Sequence, residues 1–285
     1  MTAKWILIAI GVVSVAAVAS VLIGQASERS KAEQMATDLL GGATQPRNTV
    51  VSFDALTDLP PPVARYFRHV LVDGQQVIHL VRMQQSGVLR TSTAATSWSS
   101  FNASQVVVPP ATGFLWNAKI EMPLGTHVRV LDSYSSGVGS GRASLLSAFA
   151  IASETGVPEL NSGALHRYLA EAVWFPTALL PQSGVSWSSI DDFSALATLA
   201  DGSTTVSLEF RFNDVGEVTG IYSDGRFGRF DGTYRRVPWE GRFRDYQTHA
   251  GMRVPFYGEV GWYDGGVLLW VWKGDIIKVQ YEFEP

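Results

Sequence analysis

Short turns separate segments of alternating apolar and polar residues along most of this chain, and this pattern constrains its fold most. Apolar residues occupy every second position in 116–122, 206–212 and 279–283, which predicts half-buried β-strands. Links of a few residues join antiparallel neighbours, whereas parallel strands need long crossovers. The turn signals are DGST (201–204), NDVGE (213–217), SDGR (223–226), DGT (231–233), AGM (250–252), DGG (264–266) and KGD (273–275). The sequence therefore predicts a mainly β (α+β) fold, with one curved, half-barrel-like antiparallel sheet and a few covering helices.

Two helices are predicted to interrupt this pattern. The first lies in LPPPVARYFRHVL (59–71), where prolines suit a helix start and apolar residues follow at helical spacing. The second lies in 160–173 and ends near Trp174, because Pro176 disfavours the α region for Phe175.

The last turn of this second helix contains an acid, Glu171. A carboxylate there opposes the helix dipole, so it should have a compensating partner. Arg167, four residues earlier, is the nearest candidate.

The N-terminal segment Trp5 to Gly24 contains no ionisable residue. At about 1.5 Å per residue, its helix spans the roughly 30 Å hydrocarbon layer of a membrane. A cleaved secretory signal is the competing interpretation, but the apolar region of such signals has only about 7 to 15 residues. We therefore predict a transmembrane anchor in 1–25, a juxtamembrane helix and linker in 26–50, and a single β-rich domain in 51–285. The linker is assigned to 41–50, after the Gly41–Gly42 stop signal.

Basic residues lie on both sides of the anchor, with Lys4 before it and Arg29 and Lys31 after it. A short N-terminal tail with one lysine favours a cytoplasmic N-terminus, which places the large domain outside the cytoplasm at a cell membrane. The chain has no cysteine, so it has neither a disulfide framework nor a thiolate site. The formal net charge of −4 argues against a nucleic-acid partner.

Longer stretches of the chain resemble a known family. They are RYFRHVL (65–71), GFLWNAKIEM (113–122), RASLL (142–146), RYLAEAVWFPTALLP (167–181), DGSTTVSLEF (201–210) and PWEGRFRDYQTHAGMRVPFYGEVGWY (238–263). Together they are similar to uncharacterised bacterial proteins with a β-rich domain, membrane-anchored or soluble, over nearly all of 53–285. This resemblance implies no activity. In addition, FRDYQTHAGMRVPFYGEV (243–260) resembles a step in the lipoprotein-carrier fold, in which a curved antiparallel sheet holds acyl chains beneath helices.

Motifs for cofactors and metals are weak in this sequence. GVGSG (137–141) precedes Arg142 where a dinucleotide-binding loop needs glycine, and no Walker lysine follows. The five histidines are scattered singly and form neither HxH nor HExxH. We therefore predict no cofactor and no metal, and we interpret GVGSG as a hairpin or cap loop.

Catalysis has little support either. The chain has no GxSxG elbow, and the adjacent Asp191 and Asp192 point to opposite sides of an extended chain, so they read as turn residues. Glu171 and His166 could serve as acid and base, but residues five apart on a helix diverge by about 140 degrees. We assign no catalytic residue. The sequence does not decide whether the protein is an enzyme, and it favours a protein that is not one.

Aromatic residues give the best functional indication. Apolar side chains occupy both faces of 262–272, and the second face of such a strand must be covered by a helix, a membrane, a partner or a ligand. One hypothesis is a cavity that binds a lipid or another apolar ligand, with a polar contact for a head group. Its candidate residues are Trp116, Arg142, Arg167, Tyr168, Glu171, Trp174 and Phe175. The alternative is a structural or protein-binding module of the cell envelope, whose interior is filled by its own side chains.

Overall fold

The computed structural model describes residues 2–42 and 50–283. Most of the predicted linker, 43–49, lies outside the described residues. The helices are α1 (Thr2–Gly41), α2 (Pro61–Val70) and α3 (Pro158–Glu171). The strands are β1 (Leu80–Leu89), β2 (Ser99–Val108), β3 (Gly113–Glu121), β4 (His127–Ser135), β5 (Val138–Leu145), β6 (Phe149–Thr155), β7 (Val185–Ser189), β8 (Ser194–Asp201), β9 (Thr204–Phe212), β10 (Val218–Phe230), β11 (Thr233–His249), β12 (Met252–Asp264) and β13 (Val267–Glu282).

All thirteen described strands belong to one antiparallel sheet, in the order β6-β5-β4-β3-β2-β1-β13-β12-β11-β10-β9-β8-β7. Every neighbouring pair apart from β1 and β13 is consecutive in the chain, so short turns suffice to build it. The sheet curves without closing by backbone hydrogen bonds, and the long connection from β6 to β7 carries α3. The predicted fold class is confirmed.

Two of the predicted turns lie inside strands. KGD (273–275) is part of β13, where Gly274 pairs with Gly87 of β1. A Cβ atom on Gly274 would lie 2.6 Å from the Trp272 ring, so glycine here makes room for an aromatic side chain. SDGR (223–226) forms a bulge in β10 against β11. Glycine in a strand was therefore mistaken for glycine in a turn.

The GVGSG segment forms a hairpin, as the sequence suggested. Its turn lies at Ser136 and Gly137, with φ angles of 51° and 80°, and the rest of the motif belongs to β5. Two successive positive φ angles match the right-handed twist of the flanking strands.

The helices begin and end close to their predicted limits. α2 buries the predicted stripe of Val63, Tyr66, Phe67 and Val70. α3 ends at Glu171 and continues into a 3-10 turn, Ala172–Trp174, before Phe175 leaves the helical region with φ −140° and ψ 67°. α1 ends at Gly41 and is long and apolar enough to span a membrane.

Side chains hold the β6 edge of the sheet against the hairpin between β10 and β11. Glu154 on β6 accepts hydrogen bonds from Tyr234 Oη at 2.8 Å and from Arg229 Nη1 at 3.0 Å. These contacts join β6 to the β10–β11 hairpin, although the two are far apart in the strand order of the sheet.

Candidate functional site

The concave face of the sheet encloses a cavity of about 650 Å³. Most of its wall is apolar, with aliphatic side chains from β1, β3, β4, β6, β12 and β13. Five of the nine tryptophans of the chain line it: Trp116, Trp174, Trp239, Trp262 and Trp272.

The corner after α3 forms one end of this cavity. The Trp174 ring packs edge-on against Phe243, with ring centroids 6.0 Å apart, and Tyr281 Oη donates to the Trp174 carbonyl at 2.7 Å. Gly258 lies directly beneath, where a Cβ atom would be 3.1 Å from the Trp174 ring. The corner is therefore both tightly packed and a wall of the cavity.

An arginine with two carboxylate partners lies in the polar part of the wall. Arg167 Nε donates to Glu171 Oε1 at 2.6 Å, and Arg167 Nη1 donates to Asp132 Oδ2 at 3.1 Å. The guanidinium also lies over the rings of Phe114 and Trp116, at 5.1 Å and 5.0 Å from their centroids. This geometry confirms Arg167 as the partner of Glu171, and it fixes both carboxylates by charge-assisted hydrogen bonds.

A chain of amide side chains connects this ion cluster to the sheet. Gln105 Nε2 donates to Glu171 Oε2 at 2.6 Å, and Gln85 Nε2 donates to Gln105 Oε1 at 2.9 Å. Trp116 Nε1 then donates to Gln85 Oε1 at 2.8 Å. Both glutamines are buried, so each polar atom in this relay has the partner that burial requires.

Arg226 is the second cation of the site. Its Nε and Nη2 atoms donate to the Gly163 carbonyl on α3 at 3.1 Å and 2.8 Å, and its guanidinium lies over Trp239 and Trp262 at 4.6 Å and 5.0 Å. Among the described residues, no carboxylate forms a hydrogen bond or an ion pair with it. Burial, followed by the positive charge of Arg167, lowers the pKa of Arg226, and burial raises the pKa of Asp132. The Asp132 side chain is 38% exposed towards the cavity, so its shift reflects the apolar walls around it rather than complete exclusion of water.

Four of the seven residues predicted from the sequence line this cavity: Trp116, Arg167, Glu171 and Trp174. The other three do not. Arg142 lies on the outer face of the sheet, where Nε and Nη2 donate to the Glu28 carboxylate of α1 at 2.8 Å and 2.6 Å. Tyr168 and Phe175 are buried in the core, with their rings 5.6 Å apart. A sequence pattern cannot tell a residue behind the wall from one that faces the cavity.

Four polar residues of the site were missed, Arg226 among them, and for the other three the sequence carries a signal. Gln85 follows Val81 and Met83 in the apolar phase of β1, and Gln105 follows Phe101 and Ala103 in β2. Asp132 likewise follows Val128 and Val130 in β4. A polar residue in the buried phase of a strand costs free energy unless it is paired, so it marks a polar site.

Glu171 and His166, the candidate acid and base, form no hydrogen bond or ion pair with each other. His166 Nδ1 lies 3.0 Å from the Ser162 carbonyl of its own helix, and His166 does not line the cavity. Burial, followed by the charge of Arg226, lowers the pKa of His166 to about 4. Among the described residues, no group of three or more His, Cys, Asp or Glu side chains could hold a metal ion.

The lowered pKa of His166 predicts a pH-dependent stability. Between its ordinary value of 6.5 and about 4, the unfolded chain binds a proton that the folded chain does not. The free energy of unfolding is therefore unaffected by protonation of His166 above about pH 6.5. It falls by up to about 3 kcal/mol as the pH decreases towards 4. We expect His166→Gln to flatten the free energy of unfolding between pH 7 and pH 4.5 in urea titrations. An unchanged slope would assign the acid sensitivity to other groups.

A protein-family model described as a family of unknown function, DUF6920, matches residues 57–281. The chain belongs to this family. The match covers α2, α3 and all thirteen described strands apart from Glu282, the last residue of β13, while α1 precedes it. The cavity and its ion cluster therefore lie entirely within the DUF6920 region. No curated protein matches the chain.

Three solved structures are similar to this DUF6920 protein over most of its length. A LolA superfamily protein from Nitrosomonas europaea is 10% identical, with a TM-score of 0.42, over 82% of this chain and 96% of that chain. A DUF1329 family protein from Desulfovibrio piger is 8% identical, with a TM-score of 0.43, over 81% and 91%. A β-barrel-like DUF1849 protein from Brucella abortus is 10% identical, with a TM-score of 0.25, over 73% and 100%. At these scores the likeness carries no argument about fold or function.

Proposed function

We propose that this protein is a membrane-anchored, extracytoplasmic domain that binds a lipid or other apolar ligand in the cavity on the concave face of its sheet. The single observation that carries the proposal is an apolar space of about 650 Å³ walled by five tryptophans. Small-molecule sites have this form, with volumes of about 300 to 1,000 Å³, mostly apolar linings and a few polar groups.

The polar groups of the wall indicate where a head group would bind. Arg226 lines the cavity and has a backbone carbonyl as its hydrogen-bond acceptor. A ligand with an acidic or strongly accepting group would pair with this guanidinium. Arg167 is already paired with Asp132 and Glu171, so in this proposal it shapes the wall and Arg226 meets the ligand.

The anchoring part of the proposal rests on α1. Its apolar side chains from Trp5 to Ile23 project from the folded domain, and Trp5 and Leu7 are 68% and 70% exposed. A surface this apolar requires a membrane or a partner. We infer that residues 5–24 span a cell membrane, with the N-terminus in the cytoplasm and the β-rich domain on the other side.

A second candidate function, as a protein-binding module of the envelope, is favoured by the edge strand β6. Six of its seven residues are exposed, including Phe149 and Ile151, and an open edge can pair with an added strand. In that function the cavity needs no ligand.

Lipid analysis of the full chain distinguishes these functions. We expect protein purified in a mild detergent to carry about one lipid per chain in native mass spectrometry, because an apolar cavity of this size is costly to fill with water. A brominated fatty acid should quench the fluorescence of the cavity tryptophans in Trp5→Phe protein, which removes the tryptophan of α1. A clean apo mass with no quenching would contradict ligand binding and favour the envelope module.

A further inference from the structure

Contacts between α1 and the sheet determine which end of the domain lies nearest the apolar segment. Gly24 is the last residue of the apolar segment 5–24. It packs so closely on the turn between β5 and β6 that a Cβ atom would be 2.6 Å from the Ala148 carbonyl oxygen. Gln25 Nε2 donates to the Leu146 carbonyl of the same turn at 3.0 Å. Segment 5–24 therefore leaves the domain beside the tip of this hairpin.

The rest of α1 fixes its direction across the outer face. Arg142 of β5 binds Glu28 through two hydrogen bonds, and the Glu28 side chain is only 3% exposed. Fifteen residues beyond Gly24, Leu39 packs into a small core with Val108 and Leu115, near the opposite end of the strands. Since α1 runs from the 146–148 turn towards the β2–β3 turn, its N-terminal part continues past the hairpin tips and away from the domain.

Strand register shows which other turns share this end, which we call the anchor end. Glu121 pairs with His127 and Leu89 pairs with Ser99, so the β3–β4 and β1–β2 connections lie beside the β5–β6 turn. Leu89 also pairs with Trp272, and Trp239 pairs with Trp262, so the β12–β13 and β10–β11 turns lie at the same end.

The cavity opens at the anchor end. Thr91 and Ile151 line the cavity and are exposed to solvent. Thr91 lies in the β1–β2 connection, and Ile151 lies near the start of β6, so both are at the anchor end. A second, more polar space of about 410 Å³ continues from it, and Thr91, Trp262 and Val271 line both. Residues of the β1–β2 and β10–β11 connections and the last residues of β12 surround this second space. At the other end, Trp174 and the turns after α3 close the cavity.

Exposed apolar side chains occur at both ends of the sheet, so their number does not decide which end meets a membrane. Leu124, Phe149 and Ile151 lie at the anchor end, with 99%, 44% and 60% exposure, while Val138 and Val215 are exposed at the other end. The direction of α1 decides between them. Leu124 is unusual in one further respect, because its φ of 61° is a conformation that bulky residues rarely adopt.

We propose that the anchor end rests on the membrane that α1 spans, so that the tips at Leu124 and Phe149 enter the lipid interface and the mouth of the cavity opens onto the same leaflet. The partner is thus a lipid surface, and a ligand would pass between leaflet and cavity without crossing water. This inference rests on the anchoring part of the proposed function and is independent of ligand binding.

The absence of cysteine makes the proposal directly testable by single-site labelling. Leu124→Cys and Phe149→Cys would each carry an environment-sensitive fluorophore in the full chain, reconstituted in nanodiscs of phosphatidylethanolamine and phosphatidylglycerol. Val215→Cys is the matched control, because Val215 is 56% exposed in a turn at the other end, one strand length or about 30 Å away. Val12→Cys on the apolar part of α1 reports whether the anchor is inserted.

We expect doxyl-labelled lipid to quench the probes at 124 and 149 at least about twofold more than the probe at 215, with blue-shifted emission, since interfacial side chains lie about 5 to 10 Å into the boundary layer. Strong quenching at 12 with equal, weak quenching at 124, 149 and 215 would overturn the inference and leave anchoring intact. Weak quenching at 12 would overturn both. Stronger quenching at 215 than at 124 would show the opposite end facing the membrane.

Discussion

Replacing Arg167 with methionine is expected to lower the free energy of unfolding by about 3 kcal/mol. The substitution leaves the carboxylates of Asp132 and Glu171 without their shared cation, while Arg167 and Glu171 are only 20% and 15% exposed. Asp132 is 38% exposed towards the cavity, so solvent there offsets part of the loss and holds the expected value at the low end of the range for a broken buried pair. Thermal or urea unfolding of the full chain in detergent measures the effect.

The chain provides its own control for this measurement. Arg29 and Glu33 form an arginine-first pair with the same four-residue spacing, at 2.9 Å, but their side chains are 79% and 66% exposed. Arg29→Met should therefore cost less than about 0.5 kcal/mol. Arg167→Lys keeps the charge but loses the forked geometry, so an intermediate loss is expected. Equal effects of Arg29→Met and Arg167→Met would contradict a buried, functional ion cluster.

Filling the cavity is expected to remove most of the bound ligand. Ala143 lines the cavity from β5, so Ala143→Trp places an indole in the open space without displacing a packed side chain. We expect the lipid that remains with the purified chain to fall about tenfold, equivalent to about 1.4 kcal/mol of binding free energy. Native mass spectrometry and lipid extraction measure it, alongside the melting temperature.

Asn102→Trp is the matched control for this substitution. Asn102 is exposed on β2, in the outward-facing phase between buried Phe101 and Ala103, so the same indole there should leave the bound lipid unchanged. If Ala143→Trp folds normally and still carries the wild-type amount of lipid, the ligand does not occupy this cavity.

The elements that the sequence predicted correctly depend on local chemistry. Alternation of apolar and polar residues predicted the strands, and turns with positive φ angles such as Ser136–Gly137 form the hairpins. Pro176 ends the helical conformation before Phe175. Each signal acts within a few residues, which is the range over which backbone preference and side-chain period can be read. The errors at KGD and SDGR have the same origin, because glycine favours both a turn and a close approach within a strand.

The candidate site was only partly accessible in this way. Glu171 and Arg167 are four residues apart on one helix, so their pairing followed from spacing. Gln105 lies 66 residues from Glu171, and Arg142 lies 114 residues from Glu28, so no local pattern could link them. Arg142 faces the outer side of the sheet because its strand phase is opposite to that of the cavity residues.

Local patterns along the chain predicted an antiparallel meander, an apolar N-terminal helix and a helical corner with a paired acid. The folded structure was needed to find the open apolar space within the curved sheet, Arg226 in its wall, and the exit of α1 at the end where the cavity opens. These features depend on strand curvature and register, which set the distant side chains that face one another. Those properties arise from packing of the whole sheet, whereas propensity and periodicity act along the chain.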